Sequence, residues 1–109
     1  MIKLVVVFEG EMPEDDIDEL FQNWNTVNLL HVFDNGCKVV IEVPVLNCPI
    51  EQLTDTWKRI IQNEINNLPE DFVQIYTVYF LEEFLEKDQE LNSDYPEGNY
   101  GGELSYLLT

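Results

Sequence analysis

A chain of 109 residues with 22 acids, five bases and a formal charge of −17 fits one domain, and its 45% hydrophobic and 12% aromatic content suffices to fold most of it around a core. The charge argues against anionic membranes and against direct binding of nucleic acid, because both require positive charge to displace counterions. No apolar run approaches the ~18 residues of a membrane span, and the apolar start lacks the small-residue cleavage pattern of a signal peptide, so a cytoplasmic address is expected.

Lys3 to Phe8 is a near-continuous, valine-rich run that suits a central strand covered on both faces. Pro13 then stands where a first helical residue would, with acids after it that suit the positive end of a helix dipole. Ile17, Leu20, Phe21 and Trp24 follow at i, i+3, i+4 and i+7, the stripe of a short amphipathic helix. Val27–Phe33 and Cys37–Val45 are β-rich runs on either side of Asp34-Asn35-Gly36, a turn that accepts positive φ, and so predict a hairpin. In its second strand Cys37, Val39, Ile41, Val43 and Val45 share one face. Lys38 and Glu42 make the other partly wet, and Pro44 marks the strand's end. Cys48-Pro49 is expected to open a longer helix with Ile50, Leu53, Trp57, Ile60, Ile61, Ile65 and Leu68 as its stripe and Pro69 as its stop. Phe72 to Leu81 reads as a last strand.

The order β-α-β-β-α-β over residues 1–81 predicts an α+β, ferredoxin-like core, with a four-stranded antiparallel sheet and two helices on one face. First and last strands are apolar on both faces, so the second face of the sheet needs a cover. Residues 82–109 form an acidic C-terminal extension of the same domain, in which Phe84, Leu85, Leu91, Tyr100, Leu104, Tyr106, Leu107 and Leu108 are too many apolar groups for a disordered tail. Two expectations follow: the extension folds back on the sheet, or a second copy covers it in a homodimer.

Sites of chemistry are sparse. His31, the single histidine, falls by period-two counting on one face with Val27, Leu29 and Phe33, where a structural role is expected. Ser93 and Ser105 lack a G-x-S-x-G context. Cys37 and Cys48, separated by mostly extended chain, are expected not to bridge each other, and Cys48 has no second thiol or histidine near it in sequence. Glu14-Asp15-Asp16-Ile17-Asp18-Glu19 and Glu82-Glu83 could attract a divalent cation but lack the EF-hand spacing. No phosphate-cradling glycine loop exists. The expectation is therefore a protein that is not an enzyme and carries no catalytic residue, metal or cofactor.

What remains is the distribution of the acids. Seven acids and no base lie between Glu9 and Glu19, and eight acids against Lys87 alone lie from Glu82 onward. Runs of like charge usually only solvate a surface. This many uncompensated acids, however, cost a small domain stability through self-repulsion beyond what solubility needs. Carboxylates at turn spacing on a helix imitate the charge density of a phosphate backbone. The expected contact set is Glu11, Glu14, Asp15, Asp18 and Glu19 from the first block and Glu82, Glu83, Glu86, Asp88, Glu90, Asp94 and Glu97 from the second. Tyr95, Tyr100 and Tyr106 are the aromatic anchors, since tyrosine is enriched among interface hot spots. In size and charge the chain is similar to acidic inhibitors of phages and mobile elements, such as anti-restriction and anti-CRISPR proteins. That profile implies a DNA or RNA mimic that occupies the basic surface of a nucleic-acid-handling protein. Two alternatives are an immunity protein that neutralises a basic toxin nuclease and, from another class, a dimeric ferredoxin-like regulatory module that binds a small ligand.

Overall fold

The computed structural model of the chain describes residues 1–22, 24–68, 73–91 and 98–108. A four-stranded antiparallel sheet in the order β2-β3-β1-β4 is its centre, built from β1 (Ile2–Phe8), β2 (Asn28–Phe33), β3 (Lys38–Val43) and β4 (Ile75–Phe80). The class is α+β. Helix α1 (Glu14–Gln22) connects β1 to β2, and α2 (Leu53–Asn66) connects β3 to β4. After β4 come α3 (Leu81–Leu91), the single turn α4 (Gly101–Leu104) and a 3-10 turn over Ser105–Leu108. No helix among the described residues is long and apolar enough to cross a membrane.

The valine run of β1 explains the layering. Its register sets Val5 opposite Val40 of β3 and Tyr79 of β4, and Val6 opposite Val39 and Val78, so it is hydrogen-bonded on both edges. Successive side chains on a strand point to opposite faces. Leu4, Val6 and Phe8 accordingly enter one cluster with Ile17, Leu20 and Phe21 of α1 and Leu53, Trp57, Ile61 and Ile65 of α2. Val5 and Val7 enter a second with Val40, Phe33, Leu81, Phe84, Leu85, Leu104 and Leu107. The apolar character of β1 on both faces is thus accounted for by two cores that share one sheet, the second closed by residues of the same chain.

The turn between β2 and β3 contains Asp34, Asn35 and Gly36 at φ of 54°, 56° and 85°, the left-handed conformations expected from that sequence. The β1–α1 connection leans on it: the Met12 amide donates to the Gly36 carbonyl at 3.3 Å, and the Phe8 carbonyl accepts from the Cys37 thiol at 3.3 Å. Both thiols are free.

Several local expectations are corrected. Helix α2 begins at Leu53, after a separate 3-10 turn at Ile50–Gln52, and its buried stripe is Leu53, Trp57, Ile61 and Ile65 at strict i+4 steps. Ile50 and Ile60, assigned to that stripe from sequence, are exposed. Strand β3 stops at Val43 ahead of Pro44, which leaves Val45 exposed beyond it. Strand β4 starts at Ile75 and ends at Phe80, and Leu81 opens a helix with no intervening loop. The expected start at Phe72 and the expected helix stop at Pro69 lie outside the described residues. Leu91 keeps the phase of the stripe Leu81, Phe84, Leu85, Asp88 but is the last residue of α3 and is exposed there.

His31 is the most informative correction. The β2–β3 register shifts between Leu29 and His31, so Leu29 pairs with Ile41 while His31 pairs with Val40. An extra residue at Leu30 opposes no partner and inverts the alternation. Leu29 therefore packs on the α1–α2 side, while Leu30 and Phe33 pack on the α3 side. His31 stacks on Phe33 with ring centroids 6.1 Å apart and meets the edge of Tyr106 at 6.3 Å. The same-face grouping with Val27 and Leu29 does not hold.

Candidate protein-docking surface

The acids expected to meet a partner are carried mainly by two helices. In α1, Asp16 and Ile17 donate their amides to the Pro13 carbonyl at 3.0 and 3.2 Å, so the proline fixes the first turn. Glu14, Asp15 and Asp16 in that turn favour the positive end of the dipole. Beyond it, like charges at i+3 and i+4 oppose the helix by a few tenths of a kcal/mol per pair. A nine-residue segment of this composition is helical because Ile17, Leu20 and Phe21 are anchored in the core. The outer side shows Glu14, Asp15, Asp18 and Glu19 exposed, followed by Gln22. Glu11 is exposed in the connection that precedes it.

The second row lies on α3. Glu82, Glu83, Glu86 and Glu90 are exposed at steps of one, three and four residues, while Leu81, Phe84 and Leu85 face the sheet. Lys87, the base within this block, sits over the Tyr79 ring at 5.7 Å from the centroid. Lys38 pairs with Asp34 and lies over the Tyr100 ring at 5.6 Å. Lys38 is thus engaged away from both carboxylate rows, whereas Lys87 stands on α3 among Glu83, Glu86 and Glu90.

Two members of the expected contact set turn inward. Asp88 is only 6% exposed, and one of its carboxylate oxygens accepts the Tyr100 amide at 2.9 Å. Tyr100 is half-buried, its ring 5.2 Å from Phe33 and 5.7 Å from Phe84. The reason is helical phase: Asp88 stands at i+4 from Phe84 and i+3 from Leu85, on the buried side of α3. Its carboxylate holds the 98–101 turn against the helix. Gly98, at φ 69°, passes so close that a Cβ there would stand 2.3 Å from the Asp88 carboxylate. Asp88→Ala is expected to cost about 1–3 kcal/mol, since it leaves the Tyr100 amide without that acceptor, and Asp88→Asn to cost less. Urea denaturation of the two variants checks this. Equal midpoints for wild type and Asp88→Ala would show that the turn does not depend on the carboxylate.

Asp94, Tyr95 and Glu97 lie outside the described residues. Tyr106 is exposed beside His31, whose Nε2 lies 2.8 Å from Glu103. Glu103 thereby belongs to a contact between β2 and the C-terminal turns, a role absent from the sequence expectation.

The electrostatics of the buried side are local. Burial pushes the Tyr100 phenol above its ordinary value, opposed by Lys38 and assisted by Asp34 and Asp88. Burial works against the Lys38 ammonium, but its hydrogen bond to Asp34 and the charges of Tyr100, Asp34 and Cys37 outweigh it and raise that value too. Both groups hold their protons more firmly folded than unfolded. Their contribution is therefore complete at neutral pH and is lost as pH rises through the titration range of tyrosine and lysine.

The two rows stand on opposite sides of the molecule. α1 packs on the face of the sheet that shows Leu4, Val6 and Phe8, and α3 on the face that shows Val5 and Val7. A flat partner surface can engage one row or the other, not both together. Among the described residues, no group of three His, Cys, Asp or Glu side chains is gathered so as to hold a metal ion. Comparison with protein-family models, with curated proteins and with solved structures finds no match for this chain.

Proposed function

We propose that this chain is a non-enzymatic, cytoplasmic inhibitor that occupies the basic nucleic-acid-binding surface of another protein by imitating a phosphate backbone. The observation that carries the reading is the exposed carboxylate row of α1. Glu14, Asp15, Asp18 and Glu19 place four charges along about 7.5 Å of helix axis, or one per ~2 Å, against one per ~1.7 Å of duplex DNA. The α3 row is sparser, with four charges over about 12 Å, and so is the weaker imitation. Long-range attraction from a charge of −17 would speed encounter with a basic partner and make association fall with salt. Anti-restriction and anti-CRISPR inhibitors have this profile of size and charge, as do immunity proteins directed at toxin nucleases. For the scaffold, the element order and the strand order β2-β3-β1-β4 support a ferredoxin-like assignment.

The test is capture from a lysate with immobilised protein at low and high salt, repeated with Asp15→Lys/Asp18→Lys/Glu19→Lys. Recovery of a basic DNA- or RNA-handling protein that salt elutes is expected from the wild type. The triple variant is expected to bind that partner at least ~100-fold more weakly, because each reversal sets like charges against one another. Its melting temperature should stay within a few degrees of wild type, since all three side chains are exposed. Undiminished binding by the triple variant would remove α1 from the interface, and the absence of any salt-eluted basic partner would remove the mimicry reading.

A further inference from the structure

The inner side of the α3 row borders a groove of about 630 Å³ formed where the start of β1, the β4–α3 junction and the C-terminal 3-10 turn meet. Its wall is apolar where Phe80, Ile50 and Leu108 line it, and acidic where Glu82, Glu83 and Glu86 do. Ile50 is 65% exposed and Leu108 48% exposed, so two large aliphatic groups face water at the rim of one concavity. Lys3 also lines it and donates to the Leu107 carbonyl, which ties the C-terminal turn to β1 and fixes that wall. The volume lies within the range of sites that take up side chains or small ligands.

We infer that this groove is the seat of a cationic amphipathic peptide segment, one whose apolar side chains enter between Ile50, Phe80 and Leu108 while flanking Lys or Arg side chains meet Glu82, Glu83 and Glu86. The inference rests on the reading of the chain as a binder of a basic protein, and it assigns the α3 side a mode of contact different from the α1 row. Complementarity of charge selects the occupant, because the groove's lining sets the three carboxylates of Glu82, Glu83 and Glu86 against a single basic side chain, the Lys3 ammonium. A second copy of the chain would bring another −17 to the same place, and a lipid headgroup surface or a nucleic acid would bring anions. A partner whose contact were purely ionic would leave the exposed Ile50 and Leu108 unused.

The probe is a fluorescent 14-residue peptide of leucine and lysine at helical spacing, with a control in which serine replaces every leucine at unchanged charge. Fluorescence polarisation against the full chain gives affinity, and amide chemical shifts give position. The leucine peptide is expected to bind at least ~10-fold tighter than the serine peptide, with shifts centred on Phe80–Glu86, Ile50 and Leu107–Leu108. Ile50→Ser/Leu108→Ser and Glu82→Gln/Glu83→Gln/Glu86→Gln should each weaken it ~10-fold. Asp15→Asn/Asp18→Asn/Glu19→Gln, which removes the same charge from α1, should change it less than ~3-fold. Equal affinity for the two peptides, shifts centred on Glu14–Gln22, or no binding at all would overturn the groove assignment. Those outcomes leave the salt-sensitive capture experiment free to succeed. A peptide seated in the groove with no basic partner captured would separate the two readings in the other direction.

Discussion

Replacing Gly36 by alanine is expected to destabilise the protein by about 3–5 kcal/mol, a large share of the ~5–15 kcal/mol that holds a small domain together. Two independent costs act at this position. Its φ of 85° is one that an L side chain adopts only with strain, worth roughly 1–2 kcal/mol. A Cβ there would also stand 2.0 Å from the carbonyl oxygen of Met12, which is backbone and cannot rotate away. Relief requires the β1–α1 connection to move off the hairpin. That movement breaks the Met12 amide to Gly36 carbonyl bond and uncovers Met12, which is 4% exposed. Asn35→Gly is the control, because glycine relieves the left-handed strain at φ 56° and nothing need move, so it should be neutral or slightly stabilising. Urea denaturation reads both. A Gly36→Ala midpoint within the equivalent of 1 kcal/mol of wild type would mean that the hairpin and the connection are not coupled as described.

The same turn shows how far the sequence could be read. Asp34-Asn35-Gly36 between two β-rich runs specified the hairpin because three consecutive residues tolerant of positive φ have few other uses. β1 was legible for a comparable reason, since a valine run without polar interruption has no wet face to offer. The bulge at Leu30 was not legible. Nothing in Leu29-Leu30-His31 announces an extra residue, and its consequence, the transfer of His31 to the far face, depends on pairing with β3. Nor was the start of α2, because a 3-10 turn and an α-helix share their first dihedral preferences. The acids divide in the same way. That α1 would present Asp15, Asp18 and Glu19 outward followed from the phase set by Ile17, Leu20 and Phe21. The inward turn of Asp88 was written in the spacing of Leu81, Phe84 and Leu85, and was obscured by treating the block as a sum of charges rather than as a helix with two sides. Placement of the two rows on opposite faces was beyond a one-dimensional reading, since it follows from alternate valines in β1 drawing different helices.

Ending the chain at Leu81 is expected to abolish the soluble, cooperatively folded monomer. The second cluster is almost entirely a dialogue between the sheet and residues beyond that point. Val5 and Val40 are fully buried, and Val7 and Phe33 nearly so, in a cluster whose other members include Phe84, Leu85, Leu104 and Leu107. Removing those four side chains returns the valine face to water, and each apolar side chain so exposed loses about 1.5–3 kcal/mol. The ordering entropy no longer spent on the extension offsets part of this but does not hide the exposed face. An apolar sheet surface of that kind associates with copies of itself or collapses into a loosely packed state. Size-exclusion chromatography should show aggregates or dimers, and dye binding should report exposed apolar surface. Leu104→Asp is the single-site counterpart. Leu104 is fully buried, and a carboxylate there would need a partner that the cluster, built from Leu, Val and aromatic side chains, does not offer. Its expected cost is at least the ~2–5 kcal/mol of a leucine-to-alanine change in a core. A truncated chain that remains monomeric and melts as wild type does, with Leu104→Asp silent beside it, would show that the sheet needs no cover. The stability of this acidic domain would then have to reside wholly in the α1–α2 layer.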